Sequence, residues 1–426
     1  MASRRNLAEW LIHMENMHPS AIDMGLERVA AVRDRLGLAP LFPIVTVAGT
    51  NGKGSVCALL ESIFSRAGYK VGQYSSPHLL RFNERIRVGR KEVSDADIER
   101  ALERVEQVRA PESLTYFEFG TLAAMDIFIR EKVEVAVLEV GLGGRLDAVN
   151  VFEPDCAVVT LVDLDHTAYL GPDRESIGRE KAGIFRAGIP AVCGDPDPPA
   201  SLLARAAALG APLTLIDRDF GYSTEAGQWQ FWSVRGKRSG LPHPVMRGNY
   251  QIANAATALA ALEQISQTLP VDMGAIRRGL IEAELNGRFQ VLPGKPMVIL
   301  DVGHNPHAAR ALATNLRAMP AGGRTLAVFA MLKDKDIPAV AKEIGGEIDA
   351  WYVAGLTGPR GADAGQIVRT VRETGTSAAI NSFETPAQAL DAALGMAGQD
   401  DKILVFGSFY TVAEIMRARN AMERHG

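Results

Sequence analysis

Residues 44–56 read Ile-Val-Thr-Val-Ala-Gly-Thr-Asn-Gly-Lys-Gly-Ser-Val, and these residue types at this spacing suit a polyphosphate. Gly49, Gly52 and Gly54 free the backbone to turn tightly and bare its N–H groups around Thr50 and Asn51. Lys53 adds a point positive charge and Ser55 a hydroxyl. The β-branched run Ile44–Val47 predicts a buried strand, and Val56, Leu59, Leu60, Ile63 and Ala67 recur at helical spacing. Strand, glycine loop with lysine, helix N-terminus is an anion cradle: loop amides donate, the helix dipole favours negative charge and the lysine neutralises it. The pattern G-x-x-x-x-G-K-[ST] would want Gly at 47 and a hydroxyl at 54, whereas this chain has Val47 and Gly54, with Ser55 one place late. Magnesium ligands are therefore expected from elsewhere in the chain.

Candidates for that task follow other apolar runs. Ser76 and His78 come after Val71–Ser75, Glu139 lies in Val133–Val140 before Gly141, and Asp163, Asp165 and His166 come after Cys156–Leu161. A carboxylate ending an apolar strand is costly without a cationic partner or metal, so Glu139 reads as a magnesium ligand, with a Glu139–Arg145 ion pair as the alternative. Pattern alone leaves His166 open between ligation and packing, and reads Lys181 as a solvated helix lysine. Farther on, Leu300-Asp301-Val302-Gly303-His304-Asn305-Pro306 ends a strand and opens a helix. Asp301 could hold a ribose there, His304 could meet a substrate, and Asn305 before proline reads as an N-cap.

The elements that must position these groups alternate. Runs at Val71–Ser75, Val133–Val140, Cys156–Leu161, Ile189–Val192 and Leu213–Ile216 are separated by helical patterns such as Asp95–Val108 and Phe119–Ile129, and an amphipathic helix opens at Leu7. The expected fold is α/β, with a mostly parallel sheet covered on both faces and ligands beyond its carboxyl strand ends. Trp229, Phe231 and Trp232 among turn residues suggest an antiparallel insert over 220–245. The break at Asn286-Gly287-Arg288 and Pro293-Gly294-Lys295-Pro296 looks like a hinge linker, after which strands are expected at Met297–Val302, Thr325–Ala330, Ala350–Val353 and Lys402–Phe406. At 426 residues the chain exceeds one typical core, giving a P-loop ATPase domain over 1–289 and a smaller Rossmann-like α/β domain over 294–426. Arg288 sits at this predicted hinge.

A composition of 47% hydrophobic and 23% charged residues, with a net charge of −4 and no basic tract, points away from nucleic acid or anionic membrane as partners. No apolar stretch approaches a membrane span, and the opening Met1-Ala2-Ser3-Arg4-Arg5-Asn6 lacks the apolar core of a signal peptide. Cys57, Cys156 and Cys193 read as reduced core residues, so the chain is expected in the cytoplasm.

At these motifs the chain closely resembles the folylpolyglutamate synthases, in particular the bifunctional bacterial dihydrofolate synthase/folylpolyglutamate synthases. The similar stretches span nearly the whole chain: His18 through Leu26, Ala48 through Ser55, Ser75 through Ile86, Leu114 through Gly120, Leu138 through Asn150, Asp165 through Leu170, Lys181 through Phe185, Asn254 with its alanines, and Asp301 through Pro306. The resemblance implies a fold shared with muramyl-peptide ligases, while Ser-Pro-His, Asn-Glu-Arg-Ile and Tyr116-Phe117-Glu118 point to the folate branch. It implies an ATP-dependent ligase that makes an acyl phosphate from 7,8-dihydropteroate or a reduced folate and joins it to L-glutamate. Ser76, Glu139 and His166 would hold magnesium, two ions in all, and Lys181 would carry a carbamate. The loop Gly49–Ser55 with Asn254, Arg288 and Asp301 would contact ATP. His304 and Ser408 would lie near the incoming glutamate, and Phe117 and Asp147 would line the pterin site. Such relatives are commonly monomers. Gly303 stands where they often carry alanine. A cell-wall precursor ligase of the same fold and a P-loop nucleotide switch without ligase activity are the competing expectations.

Overall fold

The computed structural model describes residues 5–225, 228–248, 250–319 and 322–425. Its first sheet is built around β1 (Ile44–Ala48), all five of whose residues are buried. The remaining strands are β2 (Val71–Tyr74), β3 (Ile86–Val88), β4 (Lys91–Glu92), β5 (Val135–Glu139), β6 (Cys156–Val159), β7 (Ala191–Cys193) and β8 (Leu213–Leu215). They lie in the order β4-β3-β2-β5-β1-β6-β7-β8. β1 runs parallel to β5 on one side and β6 on the other, with Val47 opposite both Glu139 and Val158. Strands buried on both faces have no polar side to alternate with, hence the continuous apolar runs. The edge differs: β3 and β4 pair antiparallel and carry charge on β4, a common way to blunt an exposed edge.

The helix Lys53–Arg66 buries every residue from Gly54 to Phe64. It packs against both the sheet and the helix Met273–Glu282, so it is apolar around most of its circumference. On the other face, Tyr116–Arg130 is fixed at its start by reciprocal capping between Thr115 and Glu118. Cys57, Cys156 and Cys193 are buried and free of disulfides.

Residues 220–241 form a separate antiparallel sheet of β9 (Phe220–Glu225), β10 (Gln228–Ser233) and β11 (Gly236–Leu241), in the order β11-β10-β9. The insert expected there is thus three-stranded.

The chain divides into two compact units, Met1–Val245 with Gln251–Glu284, and Met246–Tyr250 with Leu285–Gly426. The second unit's sheet comprises β12 (Gln290–Leu292), β13 (Met297–Asp301), β14 (Thr325–Phe329), β15 (Ala350–Ala354), β16 (Ala379–Phe383) and β17 (Lys402–Phe406), in the order β12-β13-β17-β14-β15-β16. All its neighbours pair parallel except β12 and β13. Pro293–Pro296 is therefore the hairpin turn between two paired strands of one unit and not a hinge linker. Prolines and glycines serve both purposes, and only strand pairing tells them apart. β16 escaped the sequence reading because its residues at this sheet edge are mostly exposed and carry no apolar run. Phe329, Trp351 and Phe406 fill the second core, with the rings of Phe329 and Phe406 stacked at 4.7 Å. Among the described residues no helix is long and apolar enough to cross a membrane.

Candidate active site

Gly52 opens the helix Lys53–Arg66 with φ 93°, a left-handed conformation that side chains rarely adopt. Gly49 has φ 149°, and a Cβ there would lie 1.9 Å from Thr160 Oγ1. One at Gly52 would lie 2.6 Å from Asn254 Oδ1. The loop thus follows β1, backed by the end of β6 and by the helix Tyr250–Gln264, and both glycines are sterically required. Lys53 Nζ donates to the Gly49 carbonyl at 2.9 Å and the Thr50 carbonyl at 3.2 Å, so the ammonium stays over its own loop. Ser55, in the first turn of the helix, is buried. Asn254 donates from Nδ2 to Gln251 Oε1 at 2.9 Å.

The neighbouring strand ends bring several expected groups beside this loop. The Ser76 N–H donates to Glu139 Oε2 at 3.3 Å, linking the ends of β2 and β5. Arg145 instead pairs with Glu180 at 2.8 Å, so the alternative Glu139–Arg145 pair is not formed. His166 adopts φ 52°, and its N–H donates to Asp165 Oδ1 at 2.8 Å. Among the described residues no group of three His, Cys, Asp or Glu side chains is gathered to hold a metal. The set Ser76, Glu139 and His166 holds one hydroxyl, one carboxylate and one imidazole, which fits a hard cation that keeps waters or takes phosphate oxygens.

Lys181 overturns the reading of a solvated helix lysine: its side chain is buried. Burial, reinforced by the nearby positive charge of Lys53, pushes its amine down to about 7, against the pull of Asp165 and Asp147. Asp147 is buried too, and burial pushes its carboxyl up to about 7 despite hydrogen bonds from backbone N–H groups and the charge of Lys53. Its oxygens accept from Leu142 N at 2.8 Å and Val149 N at 3.1 Å. Beside this turn the half-buried Phe117 ring lies so close to Gly141 that a Cβ there would sit 2.8 Å from it. Phe117 also packs against Tyr74 at 5.6 Å between centroids. An aromatic face beside a carboxyl that titrates near neutrality suits a flat, nitrogen-rich heterocycle.

The second unit holds a different cluster. Asp301, at the end of β13, is buried and accepts from Phe289 N at 2.7 Å and Gly303 N at 2.6 Å. Burial raises its carboxyl above the usual range, while Arg288 opposes the rise. The Arg288 guanidinium stands 5.5 Å over the Phe409 ring, and the His304 ring is 6.2 Å from the same phenylalanine. His304 Nδ1 lies 2.8 Å from the Val302 carbonyl oxygen. A carbonyl only accepts, so Nδ1 carries a proton. Asn305 caps the helix Pro306–Ala318. Ser408 is buried, its Oγ accepting from Thr411 N at 3.0 Å as the cap of the helix that begins at Phe409.

Three residues at the first site were not singled out from sequence: Thr160, Gln251 and Arg85. Thr160 follows β6 as Glu139 ends β5, so the strand-end rule applied to it equally. Gln251 sits one helical turn before Asn254. Arg85 stacks over Phe82 at 5.6 Å and Tyr116 at 5.3 Å, a contact between segments that no spacing reveals.

The fold matches that of known ligases. The Mur ligase middle domain model matches residues 47–262, and the Mur ligase glutamate ligase domain model matches 287–409. The chain is 48% identical over 421 residues to the dihydrofolate synthase/folylpolyglutamate synthase of Escherichia coli (strain K12), covering 99% of this chain and 97% of that one. It superposes on E. coli FolC in complex with DHPP and ADP with a TM-score of 0.94 and 47% identity, over 98% of this chain and 99% of that one. A bifunctional folylpolyglutamate synthase/dihydrofolate synthase with Mn, AMPPNP and L-glutamate bound gives 0.90 and 47%, over 98% of each. The chain belongs to the dihydrofolate synthase/folylpolyglutamate synthase family of Mur-type ligases.

Proposed function

We infer that this chain is an ATP-dependent ligase that adds L-glutamate to 7,8-dihydropteroate and to reduced folates through an acyl phosphate. The observation that carries the reading is the phosphate loop, with Lys53 over it, beside the linked ends of β2 and β5. The E. coli relative with this fold was solved with DHPP and ADP.

A carboxylate is a poor acceptor until one oxygen becomes phosphate. The substrate carboxylate oxygen attacks the γ-phosphorus of ATP, and ADP leaves. The glutamate amine then attacks the acyl carbon, and the tetrahedral intermediate expels phosphate. The loop Gly49–Ser55 and Asn254 are assigned to ATP, with Lys53 countering charge on the transferred phosphoryl group. Arg288 and Asp301 are assigned to the nucleotide as well. Phe117 and Asp147 are assigned to the pterin, Phe117 by stacking and Asp147 by hydrogen bonding. His304 and Ser408 are assigned to glutamate, His304 by accepting the amine proton and Ser408 by acting through the helix start that it caps.

Ser76, Glu139 and His166 are assigned to magnesium, two ions in all, which when bound screen the charge between ATP and the acid. Lys181 is assigned as a carbamate. Only a neutral amine adds to carbon dioxide, and an amine near 7 is largely neutral at physiological pH. The carbamate would turn a buried cation into an oxygen donor. The enzyme is further assigned to the cytoplasm as a monomer acting on small molecules, without a nucleic-acid or membrane partner. Sedimentation gives the test of its mass in solution.

The deciding assay measures ADP release and product mass with dihydropteroate and tetrahydrofolate side by side, with and without glutamate. ADP release requiring both acid and glutamate, and products heavier by glutamyl units, is expected. Release that ignored both would leave only a nucleotide switch. Turnover with UDP-linked muramyl peptides in place of folates would make it a cell-wall ligase.

A further inference from the structure

A phosphate cradle works only if the N–H groups it offers to the ligand stay available and its carbonyls are tied elsewhere. Around Gly49–Ser55 the Gly49 and Thr50 carbonyls are held by Lys53 Nζ, and the Asn51 carbonyl and the Thr50 side chain are held by one short segment, Thr160–Asp163, which follows β6. Thr160 Oγ1 donates to the Asn51 carbonyl at 2.7 Å, with the Ala48 carbonyl farther off at 3.3 Å. A hydroxyl has one proton, so the shorter contact to the loop takes it. The Thr50 N–H donates to the Leu161 carbonyl at 2.6 Å. Thr50 Oγ1 donates to the Asp163 carbonyl at 2.9 Å and accepts from Asp163 N at 3.0 Å. Thr160 is 3% exposed, and its hydroxyl occupies the space that a Cβ on Gly49 would need. The same segment runs on, two residues later, into Asp165 and His166.

We propose that Thr160 is a positioning residue for nucleotide binding, holding the Asn51 carbonyl out of the phosphate cradle and fastening the loop to the segment that carries His166. The proposal rests on the assignment of the loop to ATP. Without the hydroxyl the Asn51 carbonyl loses this buried donor, and peptide rotation toward the cradle would set an oxygen against the phosphates. The defect is confined to the nucleotide. Neither the pterin wall at Phe117 nor the cluster around His304 contacts Thr160 through any of these bonds.

The test uses the full chain with T160V, T160S and K53A, measured by ADP calorimetry, by KM for ATP, folate and glutamate, and by melting temperature. T160V keeps the branched shape and removes the donor. It is expected to weaken ADP binding and raise KM for ATP about tenfold, leaving the other two KM values within about twofold. T160S restores the donor and should return KM for ATP to within about threefold of the parent. The proposal is overturned if T160V binds ADP like the parent, if T160S is as impaired as T160V, or if all three KM values rise together with a fall in melting temperature. K53A separates the two levels. If K53A keeps full ADP affinity, the assignment of the loop is wrong. If K53A loses it while T160V does not, only the role of Thr160 fails.

Discussion

The two polar clusters, one in each unit, are built differently. Around the phosphate loop the ionisable groups are buried with their ordinary charge states disturbed: Lys181 is pushed down to about 7 and Asp147 up to about 7. Each faces charge from another segment, Lys53 acting on both. In the second unit the buried polar groups are largely satisfied by their own neighbourhood. Asp301 ties Phe289 and Gly303, Asn305 and Ser408 cap helices, and Arg288 and His304 gather at Phe409. The first cluster is electrostatically strained, its shifted groups coupled across segments through Lys53. In the second, burial raises the Asp301 carboxyl too, but its oxygens are tied to N–H groups of its own neighbourhood. The proposed roles follow the difference in part: transferred phosphoryl charge is assigned to the first cluster, and nucleotide and amine contacts to the second.

Mutations should separate the two. The largest effect is expected from K53A, a loss of about 10³ in kcat with weakened ADP binding, since one charge-stabilising donor at a reacting group is worth that order. H304A should lower kcat about 10²-fold while ADP affinity stays unchanged, as befits loss of a proton acceptor. Calorimetry with ADP distinguishes the pair, and a matching loss of ADP affinity in H304A would erase the division of labour.

The strain itself has a pH signature in protein free of nucleotide and metal. Between about 7 and its ordinary 10.5, unfolded Lys181 holds a proton that the folded amine lacks, so its contribution to stability rises with pH. Between its ordinary 3.8 and about 7, folded Asp147 holds a proton that the unfolded carboxylate has released, so its contribution falls as pH rises. The two together are least favourable near pH 7. Relative to the parent, the melting temperature of K181M should be highest at or below pH 7, with the gap closing toward pH 10. For D147N the gap should open between pH 4 and 7 and then hold. Parallel melting curves across pH for either variant would show that burial costs it nothing. S408A should have the smallest effect, about 1 kcal/mol of stability from a lost helix cap and a modest rise in KM for glutamate. A large fall in kcat would mean that this cap takes a direct part in chemistry.

Legibility differed between the clusters for the same reason. The loop could be read because local composition dictates it: β-branched residues make the strand, glycines the turn, and one lysine the charge. Asn305 could be read because capping is local. Lys181 could not, since Arg179, Glu180 and Lys181 together look like a solvated helix end, and only the packing of that helix buries the last of them. The Pro-Gly-Lys-Pro stretch was misread because a hairpin turn and a linker share one composition. Arg145 went to Glu180 rather than Glu139 because its backbone also meets Glu180, where Arg145 N donates to the Glu180 carbonyl at 2.8 Å.

By itself the sequence determined the strand–loop–helix that cradles phosphate, the alternation that makes a parallel sheet, and the placing of candidate groups at strand ends. These follow from backbone propensity and periodicity, which act over a few residues. Tertiary structure alone decided which strand ends stand side by side, that Ser76 reaches Glu139, that Lys181 is buried within reach of the charges of Lys53 and Asp147, and that Thr160 backs the loop. Strand order, burial and through-space charge are set by segments far apart in the sequence, and no local pattern encodes them.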